Sequence, residues 1–256
     1  MDNTMLAMAR QLTSCNSLTP IHRLGRGTSG AILWAKTAPA RKVLCRAMME
    51  RSFKKVYLAI VQGLLPLHET FTITQRIGPV PYAALAHTQS IFAASDDGKE
   101  ATSHATTLAV NTELNLSLVK VRIETGRAHQ IRIHMAYAGH PLLGDPLYIA
   151  GGLPRPRAIT EEDHEERYRR ELQQGEKNEG DGDSHKSEDG AQEVEDDTNG
   201  VPGDLGYFLH SWKLVFAHPT ASNGAAERIR IVCPPPPAFR AAWGQQPLPS
   251  RPHGLT

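Results

Sequence analysis

The sequence predicts an α+β domain built on a mixed, mostly antiparallel sheet with flanking helices and loops. Three observations carry this expectation. Apolar residues recur at period two in several short runs, which marks half-buried strands. Helical spacing is confined to two stretches, residues 38–51 and 128–138. Strand-like sequence resumes after a long acidic interruption, so that interruption reads as an insertion into one domain.

The elements follow in order. After the helix at 38–51, residues 54–61 place Val56, Leu58 and Ile60 on one side and Lys55, Tyr57, Ala59 and Val61 on the other. Residues 71–77 read as one strand in which Phe71, Ile73 and Ile77 alternate with polar residues. Val119, Val121 and Ile123 alternate with Lys120 and Arg122. Thr125 and Gly126 then break the strand, and Thr125 is placed to cap the helix at 128–138. On that helix His129, Arg132 and Ala136 share a face, and Ile131, Met135 and Ala138 form an apolar stripe. Gly139 ends it as a left-handed C-cap. Late strands occupy 209–216 and 228–232, the second stopped by the prolines at 234–237. No internal repeat is present.

Composition bounds the function. The chain has 256 residues and a formal net charge of +1, which averages two unlike parts. Residues 161–200 hold 16 acidic against 5 basic residues, a net of −11, and the remainder carries +12. The acidic block is nearly free of apolar residues and is expected to be disordered. The division is therefore a domain at 1–159 and 201–243, an acidic insertion at 160–200, and a flexible tail at 244–256. A basic body suits a partner with a phosphate backbone. The longest apolar run, 56–67, is too short to span a membrane. Three widely spaced cysteines without a CxxC pattern argue against a disulfide framework, and a soluble intracellular protein is expected.

Three segments have the residues for chemistry. The loop IHRLGRGTSG at 21–30 combines backbone N–H groups with guanidinium groups, which suits a phosphate or a polar base edge. It is neither a P-loop nor a GxGxxG loop, and a tight basic turn reads equally well. In the block at 124–148, His129, His134 and His140 cross the helix and its glycine cap, so their rings do not converge and no metal site is expected. In KKVYLAIVQG at 54–63, Tyr57 is either a core residue or a stacking platform for a base. Ser29 lies in TSG rather than GxSxG, so a nucleophile elbow is missing.

Taken in order, these segments resemble the RluA-type RNA pseudouridine synthases. HRLDxxTSG followed by an aliphatic run and AK is matched by His22-Arg23-Leu24, Thr28-Ser29-Gly30 and Ala35-Lys36. KxYxAxVxG is matched by Lys55, Tyr57, Ala59, Val61 and Gly63. TGRxHQIRxHxxxxGHPxxGDxxY is matched through 125–148, and LHxxxLxFxHP by Leu209-His210, Leu214, Phe216 and His218-Pro219. The resemblance covers about 12–148 and 207–239. It implies the pseudouridine synthase catalytic fold and isomerisation of uridine in RNA, rRNA or tRNA, without metal or cofactor. It also implies catalytic positions at Tyr57, at Arg127 and at the Asp of HRLD. His22, Arg23, Arg26, Thr28, Lys55, His129, Gln130 and Arg132 are the implied RNA and substrate contacts.

Two departures stand against the pattern. Gly25 replaces the family's Asp and offers no carboxylate, which opens an alternative: an RNA-binding homologue without chemistry, such as a ribosome-assembly factor. A basic scaffold without an RNA partner ranks below both readings. Only 21 residues precede His22, where the family has about 50 or more, so the N-terminal part of the domain reads as missing. The acidic insertion reads either as a solvated linker, the commoner case, or as a segment that folds back on the basic cleft and competes with RNA.

Overall fold

The nine residues from Lys54 to Gln62 carry apolar side chains to both sides of one strand, and the rest of the molecule is arranged around it. The computed structural model describes residues 4–82, 90–155, 206–219 and 228–244. Its elements begin with helix α1 (Met5–Thr13), strands β1 (Thr19–Pro20), β2 (Thr28–Gly30) and β3 (Trp34–Ala35), and helix α2 (Ala38–Met49). Strands β4 (Lys54–Gln62), β5 (Thr70–Ile73), β6 (Ile77–Pro81), β7 (Ser90–Ala94), β8 (Ser103–Asn111) and β9 (Leu116–Ile123) follow. Helix α3 (Gln130–Tyr137), strands β10 (Tyr148–Ile149), β11 (Leu153–Pro154), β12 (Leu209–Ala217) and β13 (Arg228–Val232), and helix α4 (Pro237–Trp243) complete the elements of the described residues. The acidic segment at 160–200, and all of 244–256 except Gly244, lie outside the described residues.

The main sheet has the order β13-β12-β4-β9-β8-β5, with antiparallel neighbours throughout. Strand β2 joins as a seventh, parallel to β12 beside Leu209, His210 and Ser211. Gly30 permits that approach, because a Cβ there would run into the Ser211 backbone. Helix α2 starts as its sequence demands, with the Thr37 hydroxyl accepting from Ala40 N–H at 3.4 Å. The expected two-sided pattern of β4 holds. Tyr57, Ala59 and Val61 pack with Val119, Val121 and Ile123 and with Ile131 and Met135 of α3. Val56, Leu58 and Ile60 pack with Leu116, Leu118 and Trp212, and with Phe239 and Trp243 of α4. Among the described residues, no helix is long and apolar enough to cross a membrane.

Three expectations need correction. Residues 71–77 form not one strand but two. Strand β5 leaves the main sheet after Ile73 pairs with Ser103, and Ile77 starts a separate ribbon opposite Ala94. The linking Gln75 carbonyl is met by His134 Nε2 at 2.9 Å. Thr125 does not cap the next helix, because α3 starts only at Gln130, behind a left-handed His129. Its hydroxyl accepts from Thr102 N–H and donates to Gln130 Oε1 at 2.7 Å instead. Helix α3 has no solvated polar face: Ile131 and Met135 face the main sheet, while Ile133 and Ala136 face Ile77, Ile91, Leu147 and Tyr148. Its end is as expected, with Gly139 at φ +87 and His140 N–H bonded to the Met135 carbonyl.

Burial on both sides leaves Arg132 at 1% exposure in the middle of α3. Its guanidinium donates two bonds to Asp145, at 2.8 and 2.9 Å. The Tyr207 and Tyr148 rings cover it, with centroids 4.1 and 5.0 Å away. Asp145 Oδ1 also accepts from Leu147 and Tyr148 N–H. Removing one partner of such a pair strands a charge away from water. Asp145→Ala is expected to cost about 3–5 kcal/mol in urea unfolding. Arg132→Met in the same background is expected to recover part of that loss; strictly additive losses would show that the two residues do not act as a pair.

Candidate active site

Three stretches far apart in the chain converge where β4 begins and β9 ends, an end fixed by the pairing of Lys55 with Ile123. The first is the loop around His22. His22 Nε2 accepts the Leu33 N–H at 3.1 Å, so the ring is neutral on that nitrogen. Burial pushes its pKa below the ordinary value, and the nearby Lys55 charge adds to this. The loop then turns tightly, with Thr28 N–H donating to the Gly25 carbonyl at 2.8 Å. Arg23 and Arg26 are exposed on it.

The second stretch contributes Lys55 and Tyr57 from one face of β4. Burial lowers the Lys55 ammonium's pKa. Its Nζ lies 3.2 Å from where a Cβ on Gly126 would stand, so the glycine leaves room for it. Tyr57 is 8% exposed and sits among the core residues. Burial pushes its hydroxyl's pKa up to about 12, opposed by a hydrogen bond with Ser211.

The third stretch is the Thr125–Gly126–Arg127 turn. The Arg127 N–H donates to Gln130 Oε1 at 3.0 Å and its Nε–H to the Glu100 carbonyl at 2.9 Å. Gln130 is held in turn by the Thr102 carbonyl and Ser103 Oγ, both at 3.0 Å. Together with Met48, Arg51 and Phe53, the residues Lys55, Gly126 and Arg127 line a cleft of about 230 Å³. Glu124 borders the same cleft, yet its carboxylate is bonded to His104 and Arg122 at 2.9 and 3.1 Å.

Not every expected contact reaches this place. Gln130 and Arg132 are buried and committed to protein partners, so the expectation that they touch RNA is corrected: Gln130 positions Arg127, and Arg132 balances Asp145. His129 is half-buried and bonds Tyr148 Oη at 2.8 Å. Sequence reasoning missed Tyr207, which is 4% exposed. Its ring lies along the Gly25–Gly27 turn, and its hydroxyl is 3.2 Å from Thr28 Oγ1. A Cβ on Gly25 would stand 2.6 Å from Tyr207 Oη, and one on Gly27 would stand 2.8 Å from the ring. The glycine at the position of the family's Asp thus has a steric counterpart. Separated from that loop by the whole acidic segment, Tyr207 gave no sequence signal of the contact.

This contact predicts coupling between the two positions. Gly25→Ala alone is expected to destabilise by about 1–3 kcal/mol through overpacking. Gly25→Ala in a Tyr207→Phe background removes the colliding oxygen, and thermal melting is expected to show the alanine costing much less there. Equal costs in both backgrounds would refute the contact.

Comparison with known proteins agrees with this architecture. The sequence profile of the RNA pseudouridylate synthase family matches residues 4–137, just over half of the chain. RNA pseudouridine synthase 5 of Arabidopsis thaliana is 37% identical over 241 residues, covering 86% of this chain and 58% of that protein. Its namesake in Oryza sativa is 36% identical over 250 residues, covering 89% and 55%. Ribosomal large subunit pseudouridine synthase D of Neisseria meningitidis is 37% identical over 153 residues, covering 60% and 38%. The chain spans about half the length of the curated relatives it matches. The solved structure of human RNA pseudouridylate synthase domain containing 1 has the same fold, with a TM-score of 0.58 at 20% identity over 94% of this chain and 79% of that one. The chain belongs to the RNA pseudouridylate synthase family, and within it to the RluA type.

Proposed function

We propose that this chain isomerises uridine to pseudouridine in RNA, an rRNA or a tRNA. The supporting observation is that Lys55 and Arg127, from two separate motifs, line one cleft, with His22 of a third motif near enough to feel the Lys55 charge. The reaction breaks the N1–C1′ bond, leaves the electron pair on the uracil ring, and joins C5 to C1′ after the ring turns. A proton leaves C5 and N1 gains one, so no atom is added or lost. The departing ring is negative, and fixed positive charge beside it lowers the barrier. Arg127 is such a charge, anchored through its Nε–H and its own backbone, and Lys55 is a second on the same wall. The target nucleotide must leave its stack to reach them.

Tyr57 keeps its hydroxyl proton at neutral pH and, packed in the core beside Lys55, is read as a support beneath the cleft. Gly25 excludes covalent attack by residue 25, so the C5 proton passes to another base. The exposed Arg23 and Arg26, with Thr28 and His129, are read as contacts to the RNA around the cleft. The acidic segment at 160–200 is read as a competitor for this cleft, and its deletion is expected to tighten low-salt RNA binding. All three cysteines are unpaired, which fits a reducing intracellular setting.

The decisive test is pseudouridine mapping of cellular RNA with and without the gene. Deletion is expected to remove the modification at a small set of uridines, and the wild-type gene to restore it. Arg127→Ala is expected to restore none, its rate falling about 10²–10³-fold. If deletion changes no uridine while the protein still crosslinks to RNA, the reading fails in favour of RNA binding without chemistry.

A further inference from the structure

The second face of the main sheet carries cations that the cleft does not use. Strand pairing sets directly opposed residues on the same face. Lys54 is opposite Val215, which is opposite Arg230. Val56 is opposite Lys213 on one side and Arg122 on the other, and Leu58 is opposite Lys120. Five cations from β13, β12, β4 and β9 therefore share one face, across about 14 Å at the usual strand spacing. Lys54, Arg122 and Arg230 are exposed, Lys120 is half-buried, and Lys213 is 8% exposed.

An ordinary solvated face mixes charges of both signs. Here, among the described residues, no ion pair reaches Lys54, Lys120, Lys213 or Arg230. The carboxylate nearest the patch by register, Glu124, is shared by Arg122 and His104. Burial, and then the charges of Arg230, Lys54 and Lys120, push the Lys213 ammonium's pKa down. Like charges gathered this way repel, and among the described residues no ion pair offsets them except that of Arg122 with Glu124. Helix α4 covers the opposite end of this face, where the Trp243 carbonyl accepts from Asn111.

The patch also adjoins the cleft. Lys54 and Lys55 are consecutive and point to opposite faces, and Arg122 and Arg127 bracket the turn at the cleft's edge. Positive charge thus continues around one end of the sheet. We infer that this second face is a docking surface for the phosphate backbone of RNA flanking the target uridine, which wraps the sheet's end on leaving the cleft. The inference rests on the reading of the chain as an enzyme acting on RNA.

The test compares wild type with the triple variant Lys54→Gln, Lys120→Gln, Arg230→Gln. Each is titrated with a folded stem–loop RNA and with a uridine-centred oligonucleotide of about 5 nucleotides, at the lower end of single-strand site sizes, across a range of salt. Each lost phosphate contact lowers the salt slope by about 0.7–0.9. The variant's slope on the stem–loop is expected to fall by about 2, with affinity down at least tenfold. Binding and turnover of the short oligonucleotide are expected to stay unchanged. The charge-conserving set Lys54→Arg, Lys120→Arg, Arg230→Lys is expected to behave as wild type, and both variants to melt no lower than wild type. An unchanged slope on the stem–loop overturns the proposal, as does a change equal on both RNAs. It is also overturned if deleting residues 160–200 abolishes the variant's effect, since the face then serves the chain's own acidic segment. A wild-type protein that makes no pseudouridine, yet loses slope only on the long RNA, sinks the enzymatic reading and leaves the docking surface standing.

Discussion

A guanidinium shut away from water must find its counter-charge inside the protein, and the pairing of Arg132 with Asp145 ties distant parts of the fold together. The pair joins the centre of α3 to the loop before β10. Tyr207 stacks on the same guanidinium and carries the connection to the turn at Gly25 and Gly27. Tyr148, on the other side, reaches His129 at the head of α3. Gln130, one residue on, sets Arg127. The loop at Gly25, the helix and the turn bearing Arg127 are therefore connected through one buried anchor.

Placement of charge follows from placement of strands. The alternation of β4 sends one lysine to each face at the same height, and β9 delivers Arg122 just before the turn that presents Arg127. The cleft carries positive charge in a partly desolvated setting, where a developing anion gains more than it would in water. Both half-buried His22 and Lys55 feel this cost, their pKa values falling mainly through burial. Glu124 borders the cleft, but its carboxylate is engaged by His104 and Arg122.

Much of the fold was legible because period-two patterning acts through burial alone. The two faces of β4, the run from Val119 to Ile123, and β12 and β13 lie where the pattern placed them. Reasoning failed where a tertiary contact overrode a local signal. The strand at 71–77 divides because Ile73 and Ile77 have partners in different sheets. Helix α3 reads as amphipathic only if one side meets water, and packing on both sides turned its polar residues into internal partners. Lys55 and Arg127, which their motifs singled out, line one cleft. Tyr207 was not singled out, since a ring lying against two glycines leaves no periodic trace.

The contact between Tyr207 and Gly25 also bears on any redesign of the loop. A side chain at position 25 would place its Cβ 2.6 Å from the tyrosine hydroxyl. An acid introduced there therefore requires residue 207 to give way, and the two positions have to be changed as a unit.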